Sequence, residues 1–381
     1  MKSTLCWGRK FISIGMIFLL MQLFSACTPG GNGPTGSSPS KFVYANLDES
    51  TNNYVAGYSI NSDGTLTELS GSPFATGGAG INGGWFGAKA IAIAHKKNLL
   101  FVSNKHDNTI TVFSIDPSTG VLTAVGSPVS SGGTMSSSGS LAVDANDNFL
   151  FIGNNGSNNI SVFAIASNGT LTAVTASPFT LSTDSSINGI ALNTSGDKLF
   201  VAQMDGNTMA VLSVAPNGTL TEVSASPFPY TGNGKIASIA FVSDSLGLSA
   251  AYAPIDVNDL TSYSIDANGV PTVVDSLALN NNNQCVTVTP SGNFAVVSGG
   301  NVTKISVIQV ASSGTLTQVS GSPFTTKANT SGYAVVSSSD KYVYATEWSQ
   351  VEAFSMDSAG TLTSLGTYST SAIRMGGIEI Y

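Results

Sequence analysis

The sequence predicts an all-β chain folded as a seven-bladed β-propeller of four-stranded antiparallel blades, and three observations carry that expectation. The phrase Gly-x-Leu-Thr returns at Gly64, Gly120, Gly169, Gly218, Gly314 and Gly360, with a degenerate Gly-Val-Pro-Thr at Gly269. Successive copies stand 56, 49, 49, 51, 45 and 46 residues apart, and a period near fifty with strand patterning throughout means one four-stranded blade per repeat. Within each repeat, apolar residues alternate with a period of two, as half-buried strands require. Finally, the chain enters the repeats at Phe42 on what matches a second strand and leaves on residues 375–381, which match a first strand. The ring is therefore expected to close by pairing its N- and C-terminal strands in one blade, since losing the last seven residues would expose two sheet edges.

The repeat around Gly218 shows each element in order. Residues 190–192 alternate as an innermost strand, and Thr194-Ser195-Gly196-Asp197 turns the chain. Residues 198–202 read as the second strand, Gln203 to Asn207 as a turn, and 209–214 as the third strand. Asn217-Gly218 is expected to form a type I′ hairpin, whose two central residues both take positive φ. Residues 220–223 make the outer strand, which Ser226-Pro227-Phe228 is expected to end, because proline cannot donate to a ladder. The same ending recurs at Ser72-Pro73-Phe74, Ser177-Pro178-Phe179 and Ser322-Pro323-Phe324.

Aligning the first strands separates two faces. One carries Ile91/Ile93, Leu141/Val143, Ile190/Leu192, Ile239/Phe241, Val286/Val288, Tyr333/Val335 and Ile378/Ile380. The other carries small residues such as Ala90/Ala92, Ser140/Ala142, Ser238/Ala240 and Cys285/Thr287. Blades converge on the propeller axis, so the small column belongs there, and Cys285 reads as a packed, inert thiol. Glu379 breaks the column. A carboxylate so placed must be paired, protonated or hydrated by channel water.

Residues 1–26 read as a lipoprotein signal peptide. Lys2, Arg9 and Lys10 precede an apolar stretch over 11–24, and Ser25-Ala26 leads into Cys27 as in a lipobox. The stretch is shorter than the ~20 residues that cross a bilayer. Cys27 is thus the expected lipidation site, residues 27–41 a flexible tether, and residues 42–381 the propeller. The membrane, through the lipid anchor, is the expected partner. The place is the cell envelope, at the outer membrane or cell surface, because Thr28-Pro29 follows Cys27 without the aspartate that retains lipoproteins inside. Beyond the signal, 11 basic side chains face 22 acidic ones, which argues against a nucleic-acid partner. Without a second cysteine for Cys285, no disulfide framework is expected. With His95 and His106 the only histidines, no metal or cofactor is expected, and neither is an oligomer.

Candidate ligand-binding residues lie where the fourth-to-first and second-to-third strand loops gather around the channel mouth. Trp85, in the glycine-rich loop 75–88, and Trp348, in a second-to-third strand turn, could stack on a carbohydrate or other flat ligand; Trp85 could equally plug the channel. Arg374, Lys89 and Lys235 stand at inner-strand entrances and would make a positive mouth attractive to a small anion. His95 and His106 fall in turns on opposite faces, with no nucleophile to serve.

With these motifs laid out, residues 42–381 resemble the lactonase family of seven-bladed propellers, which includes bacterial 6-phosphogluconolactonases and fungal muconate-cyclising enzymes. The resemblance rests on the Asn/Asp-Gly-x-Leu-Thr hairpins, the Ser-Gly-Asp turns and the repeat length. Enzymes of that family tend to carry a Pro-His pair at the inner-strand entrance. The matching positions here are Lys89, Gly139, Asn188, Ala237, Gln284, Ser331 and Gly376. A lactonase built on them would use Glu379 as a catalytic carboxylate activating water, with Arg374 or Lys89 holding an anionic substrate. Second strands such as Phe101-Val102-Ser103-Asn104 are similar to the repeats of surface-layer propellers. Three functions therefore stand open: an envelope-anchored module binding a small anion, a carbohydrate or an envelope protein at its loop face; a lactone hydrolase; and a purely structural surface protein.

Overall fold

A lone alternating strand cannot bury its apolar side, and in the computed structural model the strands solve this in groups of four. The structure describes residues 41–82, 89–183, 185–252, 258–279 and 282–381. Seven antiparallel sheets follow one another along the chain. In blade 4 the order from the inside outwards is Ile187–Leu192, Lys198–Gln203, Thr208–Val214 and Leu220–Glu222. Blades 2, 3, 5, 6 and 7 repeat that order over 91–124, 139–173, 235–279, 283–318 and 330–369. Blade 1 is composite: its inner strand is Gly377–Ile380, paired with Phe42–Asn46 through Val43↔Ile380, Tyr44↔Glu379, Ala45↔Ile378 and Asn46↔Gly377. The expected closure is therefore present, and Tyr381 extends it with its hydroxyl on Asn98 of blade 2 at 2.7 Å.

Among the described residues the hydrophobic core is divided into seven clusters, each chiefly between two adjacent blades. Ile91, Leu100 and Phe113 of blade 2 pack on Phe42, Tyr44 and Val55 of blade 1. Tyr344, Val351 and Ala353 of blade 7 pack on Val43, Ala56 and Tyr58 across the closing seam. Each blade thus buries both of its faces, and none is stable without its neighbours.

The repeated glycine marks where one blade touches the next. Gly218 has φ of 80° and Gly64 of 84°. A Cβ at Gly218 would lie 2.7 Å from the ring of Phe149, and one at Gly64 would lie 2.2 Å from Tyr342. Both aromatic residues open the second strand of the preceding blade. Tyrosine hydroxyls secure the same joint, Tyr44 on the carbonyl of Gly120 at 2.6 Å and Tyr344 on that of Gly64 at 3.1 Å.

Two sequence expectations change. The Asn217-Gly218 hairpin is not type I′, because Gly218 alone takes positive φ. Gly218 N–H bonds to Ala215 O and Ala215 N–H to Thr219 O, which is a type I turn followed by a left-handed glycine. The Asn217 carboxamide instead accepts Thr219 N–H at 3.1 Å. Nor does Ser-Pro-Phe end the outer strand. After the proline the chain returns to the third strand, with Phe74 opposite Val55, Phe179 opposite Ile160, Phe228 opposite Met209 and Phe324 opposite Ile305. In the gap, the serine hydroxyl accepts a third-strand N–H that would otherwise lack a ladder partner. The pairs are Ser72 with Gly57 (3.1 Å), Ser177 with Val162 (2.9 Å), Ser226 with Val211 (3.0 Å) and Ser322 with Val307 (3.0 Å). Each Ser→Ala change should cost about 1 kcal/mol, and the four should add because they lie a blade apart. Urea unfolding of the single and quadruple variants checks this, and an unmoved quadruple midpoint would assign the serines no role in the ladder.

Candidate functional site

The inner strands of blades 2 to 6, with Glu379 from blade 1, enclose an axial cavity of about 470 Å³. Small side chains from the predicted column line it, including Ala92, Ser140, Ala191, Ser238 and Cys285. Glu379 meets Lys89 there, Oε1 to Nζ at 2.6 Å, with the carboxylate 16% exposed. This settles how a charge is tolerated near the axis: it is paired. It also corrects the expected positive mouth, because the ammonium of Lys89 is engaged by Glu379. Cys285 is buried, and burial pushes its thiol pKa up against the opposing pull of Lys89, so it stays protonated.

Arg374 is not among the residues lining that cavity. It stands three residues before the closing strand, beside Tyr333 of blade 7 and Tyr252 of blade 5. Its Nε and Nη2 are buried and carry no hydrogen bond. Burial lowers the guanidinium pKa from its usual value, and the two phenols oppose that. Tyr252 is raised by burial and drawn down by Arg374, while burial raises Tyr333 strongly. Lys235 is exposed and pairs in register with Tyr252. Tyr252 thus feels the charge of Arg374 and stands opposite Lys235 in the ladder, while Lys89 is paired with Glu379. Of the two cations offered as partners of Glu379, Lys89 is in contact with it.

Trp348 lies in the turn between the second and third strands of blade 7, 40% exposed, with its N–H on Asn329 O at 3.0 Å. Ile373, next to Arg374, is 63% exposed. Trp85, Cys27, the signal and most of the tether lie outside the described residues. His95 stacks on Tyr381 at the opposite mouth, with ring centroids 5.8 Å apart. His106 is exposed and bonds Asp107 at 2.9 Å. Two residues of the inner-strand entrance column make structural contacts: Asn188 Nδ2 donates to Ala237 O at 3.3 Å, and Gln284 fills the space beside Gly300 and Gly332.

Sequence reasoning missed one ion pair on this face. Lys105 Nζ lies 2.8 Å from Asp48 Oδ2, with the two side chains 1% and 0% exposed. Asp48 follows the blade 1 strand with φ of 53°, and its carbonyl accepts Asn82 N–H at 2.7 Å. The pair ties the second-to-third strand turn of blade 2 to the corresponding turn of blade 1. Nothing in Asn104-Lys105-His106-Asp107 marks that lysine as buried.

With this geometry in hand, comparisons with known proteins agree on the fold. The family model described as Lactonase, 7-bladed beta-propeller matches residues 37–177 and 127–235. A search of curated protein sequences finds no match. A Bacteroides fragilis protein, provisionally named a 6-phosphogluconolactonase, superposes with a TM-score of 0.75 at 14% identity, covering 92% of this chain and 100% of its own. The Pseudomonas aeruginosa periplasmic gluconolactonase gives 0.73 at 14% identity, over 90% of this chain and 99% of its own. A Lactobacillus plantarum protein gives 0.70 at 17% identity, over 90% and 100%. At such identities the likeness is one of fold.

The buried ion pair yields a stability test. Lys105→Met keeps the stem and removes the charge opposite a buried carboxylate, which should cost about 3–5 kcal/mol. Adding Asp48→Asn should return much of that loss. Denaturant melts of the single and double variants decide it; a double variant no better than Lys105→Met would separate the two charges energetically.

Proposed function

The chain belongs to the Lactonase family of seven-bladed β-propellers, and on that premise we propose that it binds a small anionic ligand of the sugar-acid class at its loop face. The observation that carries this reading is Arg374, whose Nε and Nη2 are buried without a hydrogen bond beside Tyr252 and Tyr333. A guanidinium fork held in that state matches a carboxylate or phosphate, which accepts two parallel N–H bonds. Lys235, exposed at the neighbouring strand entrance, adds a second positive charge. Trp348 and Ile373 supply exposed apolar surface on the same face. On a chain with a net charge of −8, a local positive site selects anions against the repulsion of the whole.

Lactone hydrolysis is the second reading, favoured by the names of the Pseudomonas and Bacteroides proteins. Its candidate carboxylate, Glu379, is engaged by Lys89 in the axial cavity, whose lining does not include Arg374. Binding therefore comes first and turnover second. Calorimetric titration with gluconate and 6-phosphogluconate, beside proton release from the matching lactones, tests both. Arg374→Ala should weaken binding roughly 10- to 100-fold, the worth of one charge-assisted hydrogen-bonded contact, and Arg374→Lys should recover part of it. Lactone turnover lost in Glu379→Gln would instead establish the hydrolase. No heat and no turnover would leave a structural surface protein.

The place of action follows from the N-terminal residues. Lys2, Arg9 and Lys10 ahead of an apolar run, with Ser25-Ala26-Cys27 after it, support a lipid anchor on Cys27 that holds the propeller in the cell envelope. Radiolabelled palmitate should enter the wild-type chain and be absent from Cys27→Ser, which should leave the membrane fraction. Label retained in that variant would remove the anchor from this reading.

A further inference from the structure

Three blades close the outer end of their second strand with a neutral clasp. In blade 2, Asn104 Nδ2 donates to Thr109 and Thr111 at 3.1 and 2.9 Å, and its oxygen accepts Thr76 Oγ1 at 2.8 Å. In blade 3, Asn154 Nδ2 donates to Asn159 and Ser161, both at 2.9 Å. In blade 4, Gln203 bonds Thr183 and Thr208. Amide and hydroxyl complement one another at any pH.

Blade 7 puts carboxylates at both positions. Thr111 stands opposite Val102, two residues before Asn104; Glu352 stands opposite Ala345, two residues before Glu347. Both glutamates are 0% exposed, and Glu352 is near enough to help burial raise the Glu347 pKa. Glu347 also accepts Ala328 N–H at 2.9 Å and the Gln350 amide, while Glu352 accepts Lys327 N–H at 2.9 Å and the Ser364 hydroxyl. The pair therefore stitches the 326–330 segment to the turn that carries Trp348, and Trp348 N–H bonds back to Asn329.

Among the described residues, no Lys or Arg forms an ion pair with either carboxylate. Lys327 gives its backbone N–H and leaves its side chain exposed, and Lys304, opening the third strand of the facing blade, is exposed too. Tyr368, on the outer strand of blade 7, turns its hydroxyl to Leu66 N–H, and the electrostatic neighbours of Tyr333 are Cys285, Asp48 and Arg374. Two ionised carboxylates in contact, out of water, would repel, whereas one proton between them adds the hydrogen bond that joins them.

We propose that Glu347 and Glu352 share one bound proton and that this proton is the catch of a pH-dependent clasp, whose release frees residues 326–330 and the Trp348 turn together. Burial, reinforced by Glu352, pushes Glu347 up to about 7, so the catch is shut in mildly acidic surroundings and opens above neutrality. The sign follows from linkage: a carboxyl raised in the folded state stabilises it fully below the ordinary carboxylate range, and the contribution is lost as pH climbs through the raised value. This holds whatever the loop face binds.

Hydrogen exchange of the full-length protein, followed by mass spectrometry from pH 5.5 to 8.5 and corrected for intrinsic rates, tests the clasp. Peptides spanning 326–330 and 347–350 should lose at least tenfold protection across neutrality, while those around Asn154 in blade 3 stay level. Glu347→Gln, an amide like Gln203, should make blade 7 level as well. Should that variant misfold by circular dichroism, Glu352→Gln removes the second carboxylate and carries the same expectation. Protection that does not change with pH in the wild type, or that changes equally in a folded glutamine variant, overturns the proposal.

Discussion

The seat of each hairpin glycine on the preceding blade is the constraint on which the ring depends. At Gly64, Gly120 and Gly218 an added Cβ would fall within 2.2–2.7 Å of an aromatic ring, and φ lies between 74° and 84°. Only glycine meets both demands, positive φ and no volume. The aromatic partner opens a second strand, which is paired on both sides and cannot retreat. Gly360 meets the Phe294 ring at 2.8 Å in the same way, whereas Gly169, Gly269 and Gly314 meet other side chains of the preceding blade at 3.0–3.4 Å, so every copy keeps the positive φ and the seat against the preceding blade while only four seats are aromatic.

Given that seat, what happens at the axis is forced. Inner strands crowd there, so Ala, Ser and Cys line the cavity, and the lone carboxylate is held by a lysine from the neighbouring blade. The chain as a whole spends few charges, 9% of residues, against an average near ~25%. Several of those few are buried on the loop face: Asp48 with Lys105, Glu347 with Glu352, and Arg374 between phenols. Hydroxyls and amides satisfy the outer ladder, as Ser177 and Asn104 show.

Periodic features were legible in the sequence and pairwise ones were not. Blade number, the small column with Glu379 in it, and the shared first blade all follow from spacing, since each is set by strand alternation or by the repeat. The partner of Glu379 was not legible, because Lys89 lies far along the chain and reaches it only once the ring has closed. Lys105 and Asp48 are 57 residues apart, each in a turn that reads as solvated. The serine of Ser-Pro-Phe was read through its proline, which explained why the ladder breaks and concealed the hydroxyl that fills the break. The hairpin type was missed because Asn-Gly suits two turns, and the Asn217 side chain bond to Thr219 favours the one seen. Glu347 and Glu352 stand out only when blade 7 is laid over its sisters in register.

The closing segment concentrates both closure and chemistry. Within eight residues, Arg374 faces the loop side, Glu379 enters the cavity, and Tyr381 stacks on His95 at the opposite mouth. The seam it forms is the one inner-strand junction in the ring with no covalent turn, held by four residue pairs and the packing of Ile378. An anion that binds the folded Arg374 but not the unfolded chain stabilises the folded state by mass action, and here it does so next to that seam. Under the proposed binding, ligand affinity and ring closure are linked, and an anion on Arg374 would help hold the propeller shut.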